Sequence, residues 1–415
     1  MKTRIFVAAL AAVSLGVVAA TASAGVQHAQ ANKLTVWLQV DAQSGWPDLV
    51  AAANQQFQQQ NPGWTVDVQY QNWTDHLQKF DATLAGNDAP GVIEMGNTEM
   101  TKYMAAGAFA DLTSAKSQFP NSSNWLAGLA KSGMYGGKVY GVPYYAGSRV
   151  ITYRADLFKK AGIAKAPTSL AQFQADLVKV AKLNKSKGFA PLYVGGEDWY
   201  TALSFVFDYG GSIATTHAGK WVGTLNSPRS IAGLTAFKKF FDATQPKSSA
   251  TLDGTAPYPY TVFSQGQTAA NYGPAWYTCC TGAKYKSVTA QFVMPSHTNG
   301  KPMPVFLGGS DLAVPVTSNA KSQAMQWIAD FTSTANQQGL EQKGNIPNAT
   351  NLLGSSVNER AAARSWFVPQ AKHWVDVENG NILKTMLSQI LTGKLTVKQA
   401  ATVASQNIAQ TLNES

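Results

Sequence analysis

The sequence predicts an α/β protein built as two lobes. Three observations carry this. Strands and amphipathic helices alternate through the first hundred mature residues, the alternation resumes after residue 150, and 415 residues exceed one ordinary domain. Strand, helix, strand, helix, strand argues for a parallel sheet rather than all-β or all-α packing.

Leu34 to Leu38 reads as the first strand, and Gln39 to Gly45 as a polar turn. Leu49, Ala53 and Phe57 recur every fourth residue between Trp46 and Gln60, giving a helix one buried face, and Asn61-Pro-Gly63 stops it. Val66, Val68 and Tyr70 alternate with polar residues as a half-buried strand, and a polar helix starts near Thr74. The apolar strand Val92 to Met95 then ends in Gly96 and the polar trio Asn97, Thr98 and Glu99, where another helix begins. Ligands of open α/β sheets bind beyond such strand ends, so this stretch predicts one wall of a polar-ligand cleft.

Tyr140 to Gly147, punctuated by Gly141 and Pro143, reads as an extended segment crossing between lobes. Val150 to Tyr153 is the next strand, and a capping box at Ser169 and Gln172 opens a helix buried through Leu170, Phe173, Leu177 and Val180. A strand is expected over 191–194, then a helix carrying Leu203, Phe205 and Phe207. Phe306 to Val314 predicts a strand with a glycine break, followed by a helix from Asn319. Helices over 382–391 and after the box Thr396 to Gln399 complete the chain. Two interlaced lobes, each revisited by the chain, account for this order.

Lys2 and Arg4, the apolar run Ile5 to Ala20 and Ala22-Ser-Ala24 have the layout of a cleaved export signal, with a second small-residue site at Ala29-Gln-Ala31. No cysteine lies beside it, so an N-terminal lipid anchor is not expected. The net charge of +10 falls to +8 without Lys2 and Arg4, only 13% of residues are charged, and no dense Lys/Arg tract exists. A nucleic-acid partner is therefore not expected. The five histidines never fall at metal-ligand spacing and read as surface or packing residues. The adjacent Cys279 and Cys280 are either a rigid vicinal disulfide turn or two reduced thiols.

Eleven Trp and 15 Tyr suit a sugar cleft, where flat rings stack on C–H faces and placed polar groups bond hydroxyls. A lone aromatic reads first as core. Trp199 and Trp276 follow loop glycines and read instead as stacking platforms. Glycosidase chemistry needs two facing carboxylates, which Asp41, Glu94, Glu99, Glu197, Asp198 and Asp311 could supply in number, but none lies in a catalytic signature. Nucleophile elbows, P-loops and dinucleotide fingerprints are absent.

Taken together, the exported start, Leu34-Thr-Val-Trp37, Phe57 before Asn61-Pro-Gly63, Ala89-Pro90 through Asp111-Leu-Thr113, Gly141-Val-Pro143, Tyr153-Arg154, Gly273-Pro-Ala-Trp276 and Gly308-Gly-Ser310 resemble the extracellular sugar-binding proteins of bacterial ABC importers. Within these they are most similar to the maltose-binding-protein-like group. The resemblance spans essentially the whole mature chain. It implies the type II-like periplasmic-binding-protein fold, with two α/β lobes joined by crossing strands and a mono- or oligosaccharide held between them. After a signal over 1–24, cleaved as late as 31, one lobe takes residues 32–144 and 305–350 and the other 145–304 and 351–415.

By the same resemblance the ligand residues are Asp41 and Gln43 after the first strand, Asn97, Thr98 and Glu99, and Tyr145 in the crossing region. Trp199 and Trp276 follow in the second lobe, then Gly309, Ser310 and Asp311 on the returning strand, and Trp374. No cofactor or metal is implied, nor any enzymatic activity. The partners are a sugar and the permease subunits of an importer, and the protein is an exported monomer, periplasmic or extracellular. Two features depart from the family pattern. Gly91 stands where Asp usually follows the Ala-Pro pair, which would loosen that turn, and the adjacent cysteines would brace the Trp276 platform if oxidised. The rival readings are an exported glycoside hydrolase using the same cleft and a binding protein for a polyamine, peptide or osmolyte. A cationic ligand would demand several acids clustered in that cleft.

Overall fold

The computed structural model describes residues 32–414 apart from positions 87, 185, 187, 256 and 363; the expected export signal lies outside the described residues. Among the described residues ten strands frame the fold. In chain order they are β1 (Asn32–Gln39), β2 (Trp64–Gln71), β3 (Val92–Gly96), β4 (Gly141–Gly147), β5 (Arg149–Arg154), β6 (Ala270–Pro274), β7 (Thr289–Phe292), β8 (Val305–Phe306), β9 (Gly308–Ala313) and β10 (Ser365–Trp366). Two small hairpins, Met134–Tyr135 with Lys138–Val139 and Ala214–His217 with Lys220–Gly223, lie outside this frame.

The first sheet has the order β2-β1-β3-β9-β4, in which β1 pairs in parallel with both β2 and β3 while β9 runs antiparallel to β3 and β4. β1 and β3 are buried because helices cover them, as central parallel strands require. The helix Pro47–Gln60 turns Val50, Ala53 and Phe57 inward, and the helix Lys321–Phe331 packs alongside, its Trp327 Nε1 donating to Asn54 Oδ1 at 2.8 Å. The second sheet, β6-β5-β7, is antiparallel and carries the larger core, which includes Phe173, Phe205, Phe237, Trp366, Trp374 and Ile408.

The chain passes between the sheets at two adjacent points. One residue, Ser148, separates β4 from β5, and one, Leu307, separates β8 from β9, yet each pair of strands divides between different sheets. The crossings lie side by side because β4 and β9 pair there, Gly308 opposite Gly147. Ser148 is fully buried and anchored by Asn358: its N–H donates to Oδ1 at 2.8 Å and its hydroxyl to the main-chain oxygen at 2.6 Å. β9 approaches β4 so closely that a Cβ on Gly309 would stand 2.2 Å from the Tyr145 carbonyl oxygen.

Four local expectations need correction. Residues 40–45 form a short helix rather than a turn, with Ala42 buried beneath it and Trp46 N–H closing on Ala42 O at 3.2 Å; a six-residue polar run has no periodicity from which to read a helix. The strand expected over 191–194 is reduced to isolated bridges at Ala190 and Tyr193, since Pro191 has no N–H to continue a ladder. Ser169 caps its helix, but Gln172 reaches back to the Thr168 N–H at 3.0 Å instead of completing the box; Thr396 and Gln399 do form one. Gly91 tightens its turn rather than loosening it: its N–H donates to Thr35 O at 2.8 Å, and a Cβ would meet Leu34 Cδ1 at 2.4 Å. The long helix Pro228–Thr244, capped by Ser227 and unforeseen in the sequence, buries Phe237, Phe240 and Phe241 in the second core.

Candidate functional site

β1, β3 and β9 deliver polar residues to one place, the end of the first sheet that faces the second lobe. Glu94 is the one charged residue of β3 and is wholly buried, with Oε2 accepting the Gln39 N–H at 2.8 Å. Asp41, two residues past β1, is half-buried and accepts from Trp73 Nε1 at 2.7 Å. Tyr145 on β4 and Ser310 on β9 are buried beside Glu94. Above them Trp46 meets Tyr145 edge-on at 5.1 Å and Trp276 at 5.9 Å, so an aromatic wall joins residues from both lobes. Tyr277 and Tyr260 extend it.

A second group forms where β3 ends. Glu99 Oε2 accepts from the Gly96 N–H at 2.8 Å and stands 2.9 Å from His76 Nε2. Asn97 ties β3 to the crossing, its N–H donating to Gly309 O at 2.9 Å and its Nδ2 to Leu307 O at 3.3 Å. Thr98 reaches the other lobe, donating to Glu378 Oε2 at 3.4 Å, and Trp374 Nε1 donates to the second oxygen of the same carboxylate. Trp73 joins the two groups by bonding Asp41 and meeting the His76 ring at 5.2 Å.

The sequence-predicted residues therefore divide. Asp41, Tyr145, Trp276 and Ser310 come together in the first group, and Asn97, Thr98 and Glu99 in the second, while Gly309 supplies the close approach behind them. Gln43 is exposed on the outer side of its short helix. Three expectations are corrected by burial. Trp199 opens a helix instead of sitting in a loop, is 7% exposed, and packs on Tyr200, Phe306, Trp366 and Trp374 within the second core. Trp374, 1% exposed, belongs to the same core and reaches the site through Glu378. Asp311 points away from Glu94 and accepts from Ser132 Oγ at 2.7 Å, as alternation along a strand requires of Ser310's neighbour. Cys279 and Cys280 are joined as a disulfide, and Cys280 Sγ lies 3.9 Å from Ser44 O across the seam between the lobes.

Trp46, Trp73, His76 and Glu378 were missed. Glu94 had a visible signal, a carboxylate inside an otherwise apolar five-residue strand. His76 shows none, because its partner is 23 residues away.

Burial dominates the electrostatics. It pushes Glu94 up to about 8, helped by the nearby charge of Asp41, and Glu378 up to about 8, helped by Glu99. Asp41 rises to about 6 and Asp311 to about 7 for the same reason. Burial opposes charge on His76, but the Glu99 carboxylate outweighs it and raises the imidazole. An acid whose pKa is higher folded than unfolded holds more protons in the fold, so stability falls as pH climbs between the two values. The unliganded protein is expected to lose melting temperature steadily from about pH 4.5 to about pH 8, and Glu378→Gln to flatten that slope. Scanning fluorimetry across that range checks it; a melting temperature that rises instead contradicts the assignment.

Fold and site together define a two-lobed receptor with a polar, aromatic-walled cleft at the seam. Residues 38–338 match the family described as bacterial extracellular solute-binding protein, and the chain belongs to that family. The diacetylchitobiose binding protein DasA of Streptomyces coelicolor is 29% identical over 383 residues, spanning 89% of this chain and 88% of that protein. A maltooligosaccharide ABC transporter solute-binding lipoprotein of Streptococcus pneumoniae is 26% identical over 303 residues, 67% of each chain. Among solved structures, the GacH receptor of Streptomyces glaucescens matches with a TM-score of 0.79 at 19% identity, covering 92% of this chain and 99% of that one. Maltose-bound MalE3 of T. maritima matches at 0.78 with 18% identity, covering 91% and 99%. These structural likenesses establish the fold.

Proposed function

We propose that this protein is the sugar-capturing component of an ABC importer, exported from the cytoplasm without an N-terminal lipid anchor, acting as a monomer and handing its ligand unaltered to permease subunits. The observation that carries the reading is the juxtaposition at the lobe seam of buried carboxylates, able to accept hydroxyl hydrogen bonds, with the rings of Trp46, Tyr145 and Trp276. The sugars in the names of its relatives, diacetylchitobiose and maltooligosaccharide, support it. The two lobes act as the moving bodies with Ser148 and Leu307 as the hinge, so the bodies divide there rather than at 144/145 and 304/305, because residues 145–147 lie on the first sheet and 305–306 pair with the second lobe's 365–366. The lobes part at these crossings to admit the ligand and close over it. Asp41, Asn97, Thr98, Glu99, Tyr145, Trp276 and Ser310 are the contacts. The oxidised Cys279–Cys280 turn holds the Trp276 loop against the first lobe.

A thermal-shift panel of mono- and oligosaccharides, with each mixture then analysed for hydrolysis products, tests this. At least one sugar is expected to raise the melting temperature and to be recovered intact. Product formation would establish the hydrolase instead, and a panel without any shift would remove the sugar.

A further inference from the structure

We propose that the sugar taken by this cleft carries a protonated amine, as free-amine hexosamines and their short oligomers do, and that the ammonium is seated between Asp41 and Glu94. This deepens the sugar-binding reading and rests on it.

The 23 acids among 415 residues are too scattered in the sequence to suggest a cationic ligand. Folding gathers them. Of the acids at the seam, Glu99 is matched by His76 and Asp198 by Arg149, while Glu378 has both oxygens filled by the Trp374 indole and the Thr98 hydroxyl. Neither Asp41 nor Glu94 forms an ion pair among the described residues: Asp41 accepts from the Trp73 indole and Glu94 Oε2 from the Gln39 main-chain N–H, both neutral donors, and the His76 imidazole, whose own contact is with Glu99, acts on Glu94 only from a distance. Glu94 Oε1 and Gln39 Oε1 are buried acceptors without a partner, on residues each 1% exposed.

Buried acceptors left unpaired are costly, and without an ion-pair partner burial holds Glu94 protonated near neutral pH, so a bound cation favours its carboxylate and releases that proton to solvent. The chemistry of the missing partner follows from what the pair lacks. A sugar hydroxyl supplies one donor and no charge. An alkylammonium supplies three donors, no competing acceptor and one positive charge, in charge-assisted bonds about twice as strong as neutral ones. The Tyr145 ring, close to both carboxylates, and the wall it forms with Trp46 and Trp276 suit the apolar faces of the same sugar, and such rings attract a cation as well. Acetylating the amine removes the charge and leaves one donor, so the preference is for the free amine over the acetamide.

Isothermal titration calorimetry on the mature protein at neutral pH, with the glucosamine dimer, its diacetyl form, maltose and putrescine, tests the proposal. The free-amine dimer is expected to bind about tenfold or more tightly than the diacetyl form and maltose. Asp41→Asn and Glu94→Gln should each cut that ratio to about threefold or less. Unliganded melting temperatures of both variants confirm that they fold, and half-buried Asp41 tolerates the change even where Glu94 does not. Equal or tighter binding of the diacetyl form or maltose overturns the amine while leaving the sugar-binding reading intact. An amine preference that survives both substitutions overturns the assignment to Asp41 and Glu94. Binding of putrescine with no sugar bound overturns both readings.

Discussion

Trp46→Ala is expected to cost about 3–5 kcal/mol of stability and to abolish tight ligand binding. Trp46 is 0% exposed, the entry point of the helix Pro47–Gln60, and its indole N–H donates to the Tyr144 hydroxyl. Its ring meets Tyr144, Tyr145 and Trp276, the last contributed from the second lobe's stretch of chain. Truncation leaves a cavity that three rings cannot fill by rotation and orphans the Tyr144 hydroxyl in a buried site. Tyr145 and Trp276 then lose the surface that orients them, so affinity falls along with stability. Urea unfolding and calorimetry on the same variant measure the two effects. A cost below about 1 kcal/mol would mean that the ring is not a packed element of the seam.

Arg149→Met is expected to destabilise by a similar amount, about 3–5 kcal/mol, because it strands a buried carboxylate. The Arg149 and Asp198 side chains are 13% and 5% exposed and form an ion pair, with the guanidinium also lying 5.5 Å from the Tyr200 ring centroid and 5.7 Å from that of Tyr272. Asp198 additionally caps the helix Trp199–Asp208, its Oδ2 accepting from the Thr201 hydroxyl at 2.8 Å. Removing the cation leaves Asp198 charged, buried and unable to leave its cap. Adding Asp198→Asn to Arg149→Met should recover a large part of the loss, since the amide oxygen keeps the cap without a charge. Denaturant midpoints of both singles and the double separate this coupling from simple loss of packing; additive single effects would argue against the pair.

Most of the first lobe was legible because its strands and its long helix announce themselves locally, the short helix over 40–45 being the exception. β1 and β2 have the strand period, the helix Pro47–Gln60 has its four-residue spacing and its stop at Asn61-Pro-Gly63, and β3 ends visibly at Gly96. The second lobe was read less well. Its helix Trp199–Asp208 is buried on most of its faces, while Pro228–Thr244 has a single buried stripe, Gly233, Leu234, Phe237, Phe240 and Phe241, that packs against it and was left unread. The same burial explains Trp199 and Trp374: the first looks free in sequence because it follows a glycine pair and the second was expected only from the family resemblance, but both are claimed by a core formed from residues 151 to 412.

What the sequence determined by itself is therefore the class of architecture and the stretch that matters, since alternating periods, caps and the polar trio after β3 are short-range properties of neighbouring residues. Only the tertiary structure decided which charges meet. His76 with Glu99, Asp41 with Glu94, Thr98 with Glu378 and Trp46 with Trp276 are separated by 23, 53, 280 and 230 residues, and their pairing follows from which strands adjoin and where the chain crosses at Ser148 and Leu307. The character of the cleft, acids raised by burial beneath an aromatic wall, follows from those long-range contacts, because desolvation is a property of the surroundings that folding assembles and not of any residue in the chain.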